Sequence, residues 1–128
     1  MSYDVFVQRF RAGGPADADV ALLQRMLVPS MLQPAVNGFA ALSTADGGAD
    51  CYGIDSGSLM VNHCEGDEIW DLLVAVAEAG GLTIVAHGLP TCITDPAQVA
   101  ELPTALRDDV AVVRSGADLR RLVRLAEG

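Results

Sequence analysis

The stretch "GDEIWDLLVAVAEAGG", residues 66–81, restricts the fold more than any other part of the chain. Glu68, Asp71, Ala75 and Glu78 recur at 3-4-3 spacing and make one narrow wet stripe of a helix. Every other position is apolar, with Ile69, Leu72, Leu73 and Val76 on one flank and Trp70, Val74 and Ala77 on the other. A helix of this kind is stable only when most of its circumference is covered. Asp67 stands where an N-cap is expected, and the acids that follow suit the positive end of the helix dipole. Gly80 and Gly81 end the helix.

The remaining segments supply the cover. "YDVFVQRF" alternates, with Tyr3, Val5 and Val7 on one face and Phe6 and Phe10 on the other, as in a strand apolar on both sides and interior to a sheet. In "VALLQRML" Val20, Leu23 and Leu27 stand at i, i+3 and i+7, the spacing of an amphipathic helix. "FAALST" and "ADCYGID", joined by "ADGG", predict a hairpin, and "LMVNHC" adds a third strand, so residues 39–64 read as an antiparallel meander. "LTIVAH" is a further strand. "TDPAQVAEL" carries a capping box, Asp95 with Gln98, with proline at the first helical position. "DVAVVRS" is the last strand. Ser115 caps a final helix with Leu119, Leu122, Val123 and Ala126 inward and Arg120, Arg121 and Arg124 outward. The expected order is β-α-β-β-β-α-β-(α)-β-α: an α+β fold with a single sheet of about six strands and helices packed on it. The alternating second half also permits a mixed α/β arrangement with parallel pairing.

At 128 residues the chain is expected to form a single globular domain, 1–128, large enough to fold without metal or disulfide. No basic targeting segment is visible, and the longest apolar run is far short of the roughly 20 residues of a membrane span. A soluble, cytoplasmic protein is expected. Cys51, Cys64 and Cys92 are odd in number and form no CxxC pair, so they read as reduced thiols.

Charge is unevenly placed. All eight basic residues are arginine, and none lies between Met26 and Leu106, a stretch that holds ten acids. The net charge of −9 therefore belongs to the middle of the chain. Such a field repels phosphate backbones and anionic membranes, which argues against nucleic-acid and membrane partners and in favour of a basic protein or a cation.

The residues with chemistry to offer are few. In "LMVNHCEGDEIW", regular strand alternation puts His63 on one face with Leu59 and Val61, and Cys64 on the other with Met60 and Asn62, so the adjacent pair cannot act together. His63 and His87 each end a strand, and Cys92 is expected in the loop after the second. If the strands are parallel and near, both imidazoles rise at one sheet edge, where sites collect in open α/β sheets. His63, His87 and Cys92 would suit zinc, with Glu65, Asp67 and Asp95 to complete or orient the site. Their spacing matches no strong zinc signature, and a histidine that ends a strand and bonds a nearby carboxylate or backbone group is the simpler account of each. No GxSxG, Walker, GxGxxG or HExxH motif is present. Glu65, Asp67, Glu68 and Asp71 surround Trp70 and form a candidate patch for a basic partner.

These features favour a non-enzymatic binding module of the inhibitor, immunity or regulatory kind, with an acidic face for a basic protein and no cofactor. The alternatives are a small metal-dependent or thiol enzyme built on His63, His87 and Cys92, and a homo-oligomer whose arginine-bearing last helix meets the acidic middle of a second copy.

Overall fold

Strand β1 (Val5–Arg11) is the axis of the molecule, because it pairs on both sides. The computed structural model describes residues 4–128, so Tyr3, expected on this strand, lies outside them. In chain order follow β2 (Gly14–Ala16), α1 (Val20–Leu27), β3 (Ala40–Thr44), β4 (Gly47–Tyr52), β5 (Leu59–Glu65), α2 (Glu68–Gly80), β6 (Thr83–Ala86), β7 (Thr91–Ile93), β8 (Val110–Val112) and α3 (Gly116–Glu127). One sheet runs β3-β4-β5-β1-β6-β7-β8, and β2 pairs with the far end of β1.

The fold is α+β, as expected, but the sheet has eight strands and not about six. The two unforeseen strands, β2 and β7, are three residues each, too short for a two-residue period to register. Their existence is decided by pairing with neighbours that are remote from any local pattern. The expected parallel pairing is confined to β7 and β8. The strands on either side of α2, β5 and β6, do run parallel to each other, but β1 is inserted between them and is antiparallel to both.

Register explains the layers. Val5 pairs with Val61 and Ala86, Val7 with Leu59 and Ile84, and Cys51 with Ala40 and Val61. All of these are buried on one face of the sheet, in a core shared with Leu23 and Leu27 of α1 and Leu119 and Val123 of α3. Helix α2 touches β1 and β4 beneath it and α1 and α3 at its sides, which is why it is apolar almost all round. Glu68, Asp71, Ala75 and Glu78 are exposed, as the spacing requires, and Ile69, Leu73 and Val76 are buried. Leu72, expected in the core, is half-buried at its margin. Ala126, expected to face inward, is exposed, because the core contacts of α3 stop at Val123.

The cap of α2 also differs from expectation. Asp67 occupies the N-cap position, but its side chain caps nothing. The carboxylate of Asp46, in the turn between β3 and β4, accepts instead from the backbone N–H groups of Asp67 (2.8 Å) and Glu68 (3.2 Å). The Asp67 N–H bond holds the Asp46 carboxyl below the usual carboxylate range. Gly81, in the left-handed conformation at φ 66°, ends the helix as its sequence indicates.

The other face of the sheet is covered only in part. The Asp95 capping box forms as expected, but the segment it starts is a 3₁₀ helix, Pro96–Glu101, followed by a second, Thr104–Leu106. This segment lies against β7 and β1 and leaves Ile93 and Leu102 fully buried. Towards β3, β4 and β5 the face has no such layer among the described residues.

Candidate functional site

The answer to the His63–Cys64 geometry lies in a bulge. From Gly48 to Asp50 strand β4 advances two residues, while its partner β5 advances three, from Asn62 to Glu65. The surplus residue is accommodated by His63, whose φ is 53°. A bulge of this kind breaks the alternation on which the sequence reading relied. Cys64 consequently turns to the helix-covered side, where it packs against the core margin near Cys51. His63 remains exposed, and its Nδ1 lies 2.8 Å from Oδ2 of Asp50. The two side chains still cannot act together, but each faces the way opposite to that expected.

His63, His87 and Cys92 are not brought to one place. His87 sits exposed in the turn after β6, and Val5 pairs with both Val61 and Ala86, so the histidines do share an edge of the sheet. With β1 between them their backbones stand roughly 10 Å apart. Cys92 lies within β7, not in a loop, and is fully buried against the helices, its thiol donating to the Pro90 carbonyl at 3.3 Å. Among the described residues no three His, Cys, Asp or Glu side chains are grouped as a metal ion needs. Burial pushes the thiols of Cys51 and Cys92 up to about 12 and that of Cys64 up to about 11. At neutral pH all three are protonated, whereas thiol chemistry and metal ligation both require the thiolate.

The acids around the start of α2 are occupied within the chain. Asp71 pairs with Arg120, Asp67 lies 3.8 Å from Arg124, and Glu68 accepts from the backbone N–H of Ala45 at 2.9 Å. Glu65 is the exposed last residue of β5. Trp70 is only 7% exposed and belongs to the core, so it does not anchor an outer surface. Arg121, 69% exposed, pairs with Asp118 at 3.0 Å.

A different surface stands out. Tyr52 pairs with Met60, Met60 with Phe6, and Phe6 with Val85. Directly paired residues of antiparallel strands project to the same side. These four therefore form a row across β4, β5, β1 and β6 on the face away from the helices. The row continues beyond Tyr52 to Phe39, whose ring centroid is 4.9 Å away, and to Val36, which exchanges backbone hydrogen bonds with Phe39 around the Asn37–Gly38 turn. Both turn residues have positive φ, the type I′ pattern that an Asn-Gly pair favours. Exposure is 65% for Val36, 49% for Phe6, 38% for Tyr52 and 37% for Phe39. Four of the eight exposed large apolar residues among those described thus lie on one line, which sets it apart from the scattered apolar exposure normal for a protein surface.

One long flank of this row is acidic. Asp50 pairs with Asn62, whose side-chain amide reaches Asp4 at 3.5 Å. On the other flank stand Gln8 and Ser58, hydrogen-bonded to each other. On that same side Asp55, in the loop between β4 and β5, sets its carboxylate against Gly38. No arginine occurs on β3, β4, β5 or β6. The sequence signal for this surface was present, since β1, β4 and β5 each carry a large apolar residue between inward-facing ones. It could not be read as exposure, because a strand apolar on both sides is ordinarily buried on both.

Comparison with known proteins finds no family model, no curated protein and no solved structure that matches the chain. Among the described residues no helix is long and apolar enough to cross a membrane.

Proposed function

We propose that this chain is a non-enzymatic protein-binding module, of the inhibitor or regulatory kind, that docks its partner on the uncovered part of its sheet. The observation that carries the reading is the apolar row from Val36 to Val85, laid across the part of the sheet that the 3₁₀ segment leaves open. Interface centres have this composition: aromatic and methionine side chains, few charges, and a polar rim. The separation of His63, His87 and Cys92, with every thiol held protonated, gives the enzyme alternative no comparable support.

The reading is tested by placing a photo-crosslinking phenylalanine analogue at position 6, on the row, or at position 125. Leu125 is 73% exposed on α3 and serves as an apolar control away from the row. A heteromeric adduct is expected from position 6 and not from position 125. Its partner, once purified, should bind the unmodified chain and not Phe6→Ser. Equal adducts from both positions, or none from position 6, would show that this face is not a docking surface.

A further inference from the structure

We infer that the occupant of this face is an amphipathic helix of a basic partner, apolar along one stripe and rich in arginine or lysine beside it. This rests on the docking reading above and names the chemistry of the partner. Three features of the face lead to it.

The first is shape. The surface offers one apolar row with polar rows on both sides. A second sheet laid on it would need several apolar rows, whereas a helix buries a single stripe. From Val36 to Val85 the row crosses six chain segments, roughly 24 Å at the usual inter-strand spacing, which is about four and a half helical turns. The row also lies within the face and not along an edge, so addition of an extended strand would leave it uncovered.

The second is charge. Asp4 and Asp50 line one flank, where Asp50 also meets the exposed His63 ring, and Asp55 stands in the loop between β4 and β5 on the side of Gln8 and Ser58. Carboxylates therefore stand on both sides of the row, and the charge selects a basic partner without fixing the direction in which its helix lies. Arginine suits both neighbours it would meet, since it pairs with carboxylates and stacks on rings such as those of Phe6 and Tyr52.

The third is what the charge excludes. A second copy would bring its own Asp4 and Asp50 against the same face, on a chain of net charge −9. Polyanions are repelled for the same reason.

The test uses the whole chain and two synthetic 18-residue helical peptides. Both carry leucines at i, i+3, i+4 and i+7; one has arginines along a single flank and the other has glutamines there. Binding is followed by amide chemical shifts and by titration at low and high salt. The arginine peptide is expected to bind about tenfold more tightly than the glutamine peptide at low salt. Its shifts should map to β4, β5 and β1, and the advantage should vanish at high salt or in Asp4→Asn/Asp50→Asn. If that double variant is not folded by circular dichroism, Asp4→Asn alone should reduce the advantage. Equal binding of the two peptides on this face would overturn the basic partner and leave the docking reading standing. Shifts elsewhere, or no binding of either peptide at millimolar concentration, would overturn both. A concentration-dependent dimer in sedimentation, abolished by Phe6→Ser, would assign the face to a second copy and overturn the inference.

Discussion

Position 63 offers a measurement in which the sign, and not only the size, depends on the backbone. In His63→Ala and His63→Gly the imidazole and its pairing with Asp50 are lost equally. That pairing is largely exposed, with 65% of the His63 side chain open to water, so it contributes at most about 1 kcal/mol to either difference and cancels between them. What remains is the backbone. At φ 53° an L residue pays about 1–2 kcal/mol for the contact between its Cβ and the following carbonyl, and glycine pays nothing for it. Against this, glycine loses more chain entropy on folding, about 0.5–1 kcal/mol relative to alanine. The bulge therefore predicts that the glycine variant is the more stable, by up to about 1.5 kcal/mol. In a regular strand, the conformation first expected here, only the entropy difference acts, and alanine would be favoured by about 0.5–1 kcal/mol. Urea denaturation of the two variants side by side, with the slope unchanged between them, reads the difference directly. If His63→Ala equals or exceeds His63→Gly in stability, the bulge is misplaced and the side-chain directions of His63 and Cys64 revert to simple alternation.

Leu73 is fully buried on the inner face of α2, so Leu73→Ala should cost about 2–5 kcal/mol in the same assay, whereas Glu78→Ala on the wet stripe should change stability by less than about 0.5 kcal/mol. Asp46→Ala removes the cap of α2 and should destabilise the chain more than Asp67→Ala; the reverse order would return the cap to Asp67. The thiols of Cys51 and Cys92 are pushed above their unfolded value, so their contribution is whole below about pH 8.5 and is lost as pH rises towards 12. Stability should then fall as pH rises through that window, and Cys92→Ala should flatten the decline. Thiol reagents at neutral pH should modify the folded chain slowly, with Cys64, partly exposed and raised to about 11, the first to react.

What the sequence determined by itself was whatever local chemistry decides. The burial of α2 on all but one stripe follows from Glu68, Asp71, Ala75 and Glu78, because helical periodicity is an internal property of a segment. Its termination at Gly81 and the capping box of Asp95 with Gln98 are local in the same sense. Six of the strands and the α+β class follow from alternation and turn residues. Tertiary structure decided whatever depends on a partner distant in sequence. Strands β2 and β7 exist only through the neighbours they pair with, and α2 is capped by Asp46 because a hairpin twenty residues earlier folds against it. The insertion of β1 between β5 and β6 kept the two histidines apart, and a single surplus residue opposite Ala49 reversed His63 and Cys64. The apolar row that carries the functional reading is of this second kind. Phe6, Tyr52 and Met60 are each unremarkable in their own strands, and they become a surface only when register aligns them and α1, α2 and α3 pack on the opposite face.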